Sequence, residues 1–428
     1  MSITREQNEQ LTRTGPGTLM GDLLRRYWIP ALLAEEVAER DGPPVRVQLL
    51  GEQLIAFRDS EGRVGLIDEF CAHRRVSLWF GRNEECGIRC AYHGWKYDVN
   101  GQCVDLPSEP ERTAVRDRIK LKSYPCLERG GAIWAYMGPP ELKPEPPEHE
   151  WALVSPAQRF VSKRFQECNF LQAMEGGIDS SHVSFLHSAA LNRDPLFAGS
   201  KGNLYNLQDT APVFEVLESE GGLLIGARRN ADNDQYYWRI TPWVMPFFTL
   251  VPPRADHPIN GHAWVPIDDQ TCWAWSISYH PRRALSDAEV SAMKTGAGIH
   301  VKYLPGTYIP LQNKRNDYLM DRNAQNAGLA YSGVEGIGMQ DASLQESMGP
   351  IVDRSLETLM PTDKGIVIAR RRLLNAAAAS REGKPVPGLT PASQRVRSCS
   401  LELPRNVPFY EGAKQGLVRE LGTDPVSV

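Results

Sequence analysis

The string Cys71-Ala72-His73, sixteen further residues, then Cys90-Ala91-Tyr92-His93 constrains this chain more than any other feature. Neither pair alone completes a coordination shell, so the fold must bring two loop tips onto one metal centre. The flanking residues predict such a scaffold. Apolar side chains alternate through Val45 to Leu49, Leu54 to Phe57 and Val64 to Ile67, with turn residues at Gly51-Glu52 and Asp59 to Gly62. Trp95 to Val99, Asn100-Gly101 and Gln102 to Val104 read as a hairpin on a type I′ turn, and Ala132 to Met137 closes an all-β region. Two assignments suit the four ligands. One is a structural zinc site; the other is a [2Fe–2S] cluster in which one iron takes both cysteines and the other both histidines. Zinc fingers group cysteine with cysteine, whereas here each loop carries one cysteine and one histidine. Gly94-Trp95 suits close backbone approach and an aromatic cover. The remaining cysteines (Cys86, Cys103, Cys126, Cys168, Cys272 and Cys399) read as packing residues.

A second string, Glu175-x3-Asp179-x2-His182-x4-His187, has the components of a non-haem iron site, in which two imidazoles and a carboxylate leave coordination positions open. His182 and His187 are separated by about 140° on an ideal helix. They can meet at one metal only if the helix ends or distorts between them. Asp179 shares a face with His182 and suits an acceptor that orients the imidazole better than it suits a ligand. Glu175 reads as a helix-surface or supporting residue. The other histidines, His149, His257, His262, His280 and His300, read as structural or surface groups.

Five prolines between Pro139 and Pro147 predict a stiff linker between two domains. Beyond it, Leu223 to Arg229, Tyr236 to Ile240, Phe247 to Val251, His262 to Ile267 and Cys272 to Tyr279 read as antiparallel strands. Met339 to Leu359 and Thr362 to Arg381 read as helices. Strands followed by helices indicate an α+β chain. The division expected is a helical N-terminal segment (1–44), an all-β domain (45–138), the linker (139–150), a second domain (151–382) and a C-terminal tail (383–428). Lys plus Arg number 48 against 52 Asp plus Glu, so no basic field exists to draw nucleic acid or anionic lipid. The longest uncharged apolar-looking run, Ile240 to Pro253, holds four prolines in 14 residues and is too short to span a bilayer. With no signal peptide evident, a cytoplasmic protein is expected.

Taken with its surroundings, the stretch Cys71 to Trp95 resembles the signature of the Rieske non-haem iron oxygenases. Respiratory Rieske proteins carry two further cysteines beside the cluster, which this stretch lacks, and Ala72 stands where many members carry proline. The runs Leu11-Thr12-Arg13 through Arg25 to Ala31, Cys71 to Pro107, and Tyr331 to Arg354 are similar to the phthalate dioxygenase group. That resemblance implies a Rieske domain followed by a catalytic domain of helix-grip type, an antiparallel sheet flanked by helices. It implies Cys71, His73, Cys90 and His93 as ligands of a Rieske [2Fe–2S] cluster. For a mononuclear non-haem Fe(II) it implies His182, His187 and a carboxylate far downstream. The segment Gln340 to Gly349 carries that carboxylate onto Asp341, with Glu346 and Asp353 as rivals. It also implies a homotrimer or hexamer in which Asp179 bridges the two sites across subunits. The chain lacks a G-x-G-x-x-G loop after a strand and a plant-type ferredoxin cysteine run, so electrons come from another protein. In this group that partner is an NADH-dependent reductase with FMN and [2Fe–2S].

The activity implied is dihydroxylation of an aromatic carboxylate of the phthalate, chlorobenzoate or phenoxybenzoate class, with O2. Monooxygenation (O-demethylation or ether cleavage) would use the same metal sites, and an electron-transfer Rieske protein is the reading from another class. A carboxylate substrate calls for an arginine, whose fork binds it bidentately. Arg239 and one of Arg228 and Arg229 are the candidates, because adjacent strand residues face opposite ways. Arg239 and Arg228 are the expected substrate contacts.

Overall fold

The alternating segments fold as short antiparallel strands in a computed structural model that describes residues 3–110, 115–418 and 422–428. The chain divides into two compact units, residues 14–146 and residues 1–13 with 147–428.

In the first unit the strands are β1 (Trp28–Leu33), β2 (Val45–Leu49), β3 (Glu52–Arg58), β4 (Val64–Asp68), β5 (Arg82–Glu84), β6 (Gly87–Arg89), β7 (Lys96–Tyr97), β8 (Cys103–Asp105), β9 (Cys126–Arg129) and β10 (Ala132–Tyr136). They pair in the orders β1-β10-β9, β2-β3-β4 and β5-β6-β7-β8. Ile55, Phe57, Ile67, Leu78, Ile88, Tyr97 and Leu106 form a core that also encloses Cys71 and Cys90. The helical N-terminal segment is only partly helical. The helix Leu19–Leu24 stops before Trp28, where the chain enters β1 and pairs with β10. Pro30 is accommodated there because the register shifts beside it. The hairpin at Asn100-Gly101 forms, but its turn is not type I′, which needs positive φ at both residues. Only Gly101 has it. Asp98 Oδ1 accepts the N–H groups of Asn100 and Gln102, which selects the wider turn.

The second unit contains β11 (Arg159–Gln166), β12 (Val213–Glu218), β13 (Gly222–Asn230), β14 (Gln235–Val244), β15 (Phe248–Val251), β16 (Ile259–Pro266), β17 (Cys272–Tyr279) and β18 (Cys399–Pro404). These form one antiparallel sheet in the order β11-β17-β16-β15-β14-β13-β12, with β18 also on β14. On β14, β15 pairs only with Trp243 and Val244, and β18 takes the same edge from Gln235 to Ile240. The C-terminal segment is therefore part of the sheet, because that edge would otherwise leave backbone donors and acceptors unpaired. The α+β expectation holds, with the helices Phe170–Ile178 and Lys364–Arg381 set against the sheet and the helix Ile337–Ser347 beside the first of them. The helix expected from Met339 to Leu359 ends at Ser347. Gly349, with φ of 90°, and Pro350 end it.

The helix Phe170–Ile178 packs on β14 to β17 and against the helix Ile337–Ser347. Asn169 caps it by accepting the N–H of Leu171 at 3.0 Å. Gly176 and Gly177 permit the approach. A Cβ at Gly176 would lie 2.2 Å from Gln345 Nε2, and one at Gly177 2.5 Å from Thr249 Oγ1. Among the described residues no helix is long and apolar enough to cross a membrane.

Candidate metal centres and the adjoining cavity

Cys71 and Cys90 open two loops that make the same turn. The Cys71 N–H donates to Val76 O and the Arg75 N–H to Cys71 O; the Cys90 N–H donates to Trp95 O and the Gly94 N–H to Cys90 O. Arg75 and Gly94 occupy equivalent places, with φ of 56° and 77°. At Gly94 a side chain has no room, since a Cβ would lie 2.6 Å from Pro107 Cγ. This repeated geometry brings His73 Nδ1 and His93 Nδ1 to 3.1 Å, while both cysteines are buried and their thiols interact. His73 stacks on Trp95, with ring centroids 4.5 Å apart. Tyr97 accepts the Ala72 N–H on its hydroxyl oxygen, which leaves its proton for Cys71 Sγ at 3.2 Å. Paired thiols and paired imidazoles, one of each from each loop, fit a [2Fe–2S] cluster with mixed ligation.

In the second unit the helix Phe170–Ile178 ends four residues before His182, upstream of the break expected between the two histidines, and a short 3-10 turn that starts at His182 ends between them. Asp179 caps that helix and has extended backbone, and the turn covers His182–Ser184. Asp179 accepts the backbone N–H groups of Ser181 and His182, and its Oδ2 lies 3.0 Å from His182 Nδ1. The break lets His182 Nε2 and His187 Nε2 converge to 3.2 Å. Asp341 Oδ1 lies 3.2 Å from His187 Nε2 and 3.6 Å from His182 Nε2. These three residues offer ligand atoms within 4.8 Å of one another, and two imidazoles with one carboxylate fit a non-haem iron.

The rivals lie elsewhere. Glu346 accepts the Glu167 N–H and the Tyr318 hydroxyl, and Asp353 accepts from Ser355. Glu175 is not a surface residue: it is buried between Arg354 at 3.0 Å and Arg370 at 2.6 Å.

Gln340, which the sequence reading passed over, completes the arrangement. Its Nε2 donates to Val334 O at 3.1 Å, so its Oε1 faces His187 Nδ1 at 2.8 Å. His187 therefore donates from Nδ1 and keeps the Nε2 lone pair for a metal; Asp179 orients His182 in the same way. Burial opposes ionisation of Asp341, but His187 and His182 outweigh it and hold the carboxyl down to about 2. Burial likewise opposes the Asp179 carboxylate, and the His182 hydrogen bond more than offsets it.

Residues 27–125 match the Rieske [2Fe-2S] domain family, and residues 135–403 match the family described as LigXa C-terminal domain like. The chain is 39% identical to the 3-chlorobenzoate-3,4-dioxygenase oxygenase subunit of Comamonas testosteroni, over 98% of this chain and 100% of that protein. The chain belongs to the Rieske non-haem iron oxygenases. It is also 38% identical to the phthalate 4,5-dioxygenase oxygenase subunit of Pseudomonas putida, over 94% of this chain and 92% of that one. Its fold is similar to that of dicamba monooxygenase bound to dicamba, with a TM-score of 0.56 and 19% identity, over 84% of this chain and 99% of that chain. Rieske oxygenases are oxidoreductases that act with O2 and a reductase partner, and they carry a Rieske [2Fe–2S] cluster and a mononuclear non-haem iron.

Beside His182, His187 and Asp341, this Rieske oxygenase has a cavity whose apolar wall includes Trp264, Ile299 and Ile337. Arg239, on β14, lines it and is only 2% exposed. Its Nε and Nη1 are buried without a hydrogen-bond partner among the described residues. Arg228 does not line the cavity, which corrects the expectation for that residue. The β13–β14 register sets Arg228 opposite Trp238 and Arg239 opposite Ala227, so the two arginines leave opposite faces of the sheet. The Arg228 guanidinium lies over Tyr236, with Cζ 4.2 Å from the ring centroid. Its neighbour Arg229 is the buried member of the pair and donates to Asp209 O and Ser180 O.

Two further cavity residues escaped the sequence reading. Arg254 lines the wall, and its signal was a charged residue directly after the longest uncharged run. His262, expected to be only structural or surface, also lines the cavity. Burial and then Arg164 hold His262 down to about 4, so it is neutral at pH 7. Its Nδ1 donates to Trp275 O at 3.1 Å, which leaves Nε2 as an acceptor.

Proposed function

We propose that this chain is the oxygenase component of a system that dihydroxylates an aromatic carboxylate of the phthalate, chlorobenzoate or phenoxybenzoate class. The observation that carries this reading is that His182, His187 and Asp341 share a cavity with Arg239, a buried guanidinium with open donors. A buried cation of that kind is costly unless an anion meets it, and an aromatic carboxylate brings both the charge and a ring for the apolar wall around Trp264. The named relatives act on 3-chlorobenzoate and phthalate, which supports the same class.

In this reading Cys71 and Cys90 hold one iron of the cluster, His73 and His93 hold the other, and His182, His187 and Asp341 hold the mononuclear iron. When bound, these groups supply the stored electron and the site at which dioxygen reacts. The protein does the remaining work. Arg239 pairs with the substrate carboxylate and fixes the ring's orientation. Gln340 and Asp179 accept hydrogen bonds from the Nδ1–H groups of His187 and His182, and the buried walls limit water. Asp179 also bridges His182 to a cluster histidine of a neighbouring subunit in a homotrimer. Electrons arrive from NADH through a reductase carrying FMN and a [2Fe–2S] centre.

The test is a product assay in 18O2 with such a reductase, NADH, and a panel of phthalate isomers, chlorobenzoates and phenoxybenzoates. Two labelled oxygens in one cis-dihydrodiol, lost in Asp341→Ala, are the expected result. One labelled oxygen would replace dihydroxylation by monooxygenation on the same metal sites. Failure to oxidise any aromatic carboxylate would overturn the reading. An intact cluster without iron at the second site would leave an electron-transfer protein.

A further inference from the structure

Arg254 follows β15 and lines the same cavity as Arg239. It is 5% exposed, its Nε donates to Asn203 Oδ1 at 3.1 Å, and its Cζ lies 4.5 Å from the centroid of the Phe197 ring. An amide oxygen and an aromatic face orient a guanidinium but bring no negative charge to match it. Among the described residues neither Arg239 nor Arg254 has a carboxylate within ion-pair distance. The nearby acids are committed elsewhere. Asp341 and Asp179 serve the histidines, and Asp194 accepts the backbone N–H groups of Leu196 and Gly298. Burial and then the repulsion of Arg239 hold Arg254 down to about 9, the signature of a cation without a counter-charge.

A single carboxylate does not resolve this arrangement. One carboxylate saturates one guanidinium fork when bound bidentately, so a monoanion leaves the second buried cation uncompensated. We propose that the cavity reads two anionic groups on one ring, Arg239 taking one carboxylate and Arg254 the other, so that the substrate is an aromatic dicarboxylate. This rests on the aromatic carboxylate reading above and narrows it, with Arg254 as the specificity-determining residue.

The experiment is calorimetric titration of the anaerobic holoenzyme, without reductant, by benzoate and by each of the three benzenedicarboxylate isomers. At least one dicarboxylate should bind about 10- to 100-fold more tightly than benzoate, the gain from one further charge-assisted contact. Arg239→Met and Arg254→Met should each bring that ratio close to one, since either leaves one cation for one carboxylate. The double variant should lose both ligands. Arg254→Lys, which keeps the charge, should recover part of the ratio, and an unchanged cluster spectrum and iron content report an intact fold. Equal binding of benzoate and all dicarboxylates by the wild type would overturn the proposal. So would a ratio that Arg254→Met leaves unchanged. Tight benzoate binding with no dicarboxylate advantage would leave the aromatic carboxylate reading standing. Absence of binding by every ligand would remove that reading as well.

Discussion

Replacing Gln340 with leucine should loosen the mononuclear iron without altering any of its three proposed ligands. Gln340 is buried, and its Oε1 accepts a hydrogen bond from His187 Nδ1 at 2.8 Å while its Nε2 donates to Val334 O. Leucine removes the acceptor and strands a buried N–H. The imidazole can relieve this by moving the proton to Nε2, which removes the lone pair a metal needs, or by rotating out of line with His182 and Asp341. An unpaired buried donor costs about 1–3 kcal/mol. Loss of a partner that orients a ligand histidine costs about 10- to 100-fold in metal affinity, which is roughly 1.4–2.8 kcal/mol. The two routes agree. Gln340→Glu supplies an ionised acceptor to the same Nδ1 and should recover most of the loss, although it gives up the bond to Val334. The assay is competition of the holoenzyme against graded concentrations of a ferrous chelator. Retained mononuclear iron is read separately from cluster iron through acid-labile sulfide and visible absorbance. Iron retention within twofold of wild type in Gln340→Leu would refute the argument. If Gln340→Glu lost iron as readily as leucine does, the effect would belong to packing and not to the hydrogen bond.

Other perturbations separate structural from catalytic roles. Asp179→Asn should keep both the cluster spectrum and the mononuclear iron but cut product formed per NADH at least about tenfold, as expected for a lost histidine partner; normal coupling would remove its bridging role. Glu175→Gln should destabilise the chain toward the lower end of about 3–5 kcal/mol, because it leaves Arg354, wholly buried, without a carboxylate while Glu357 still serves Arg370. Thermal unfolding followed by tryptophan fluorescence should fall by several degrees, and a change under about 2 °C would count against a buried ion triad. Glu289 closes the capping box with Ser286 and takes two donors from Arg283, which hold it down to about 2 despite burial. A depressed carboxyl stabilises the fold above its unfolded value near 4.5 and loses that contribution as pH falls toward about 2. The stability gap between wild type and Glu289→Gln should therefore be full above about pH 5 and shrink steadily toward pH 3. A gap independent of pH over that window would mean the side chain acts by packing alone.

Much of the site was legible because its pieces are local. Each cysteine–histidine pair lies within one loop, so spacing along the chain and spacing in space are nearly the same quantity. The five-residue step from His182 to His187 required a helix end or distortion between them, and the structure has one where the 3-10 turn His182–Ser184 stops. Asp341 was different. The resemblance carried the ligand onto Asp341, but spacing left Glu346 and Asp353 as rivals, and what sets Asp341 beside the histidines is the packing of two distant helices, where Gly176 leaves room for Gln345. Gln340 and Arg254 were missed for the same reason: nothing near them in sequence indicates which distant group they face.

The chain order alone therefore determined an α+β protein with two separate metal-binding strings, and it required Arg228 and Arg229 to face opposite ways. Which of the two turned inward was decided only by the pairing of β13 with β14. The burial of Arg239 and Arg254 in one cavity was likewise decided only by the tertiary fold of the second unit. Periodicity and capping act between residues a few positions apart and leave a trace in the sequence. Register and helix contact act between residues far apart in the chain, and their free energy exists only once both partners are in place.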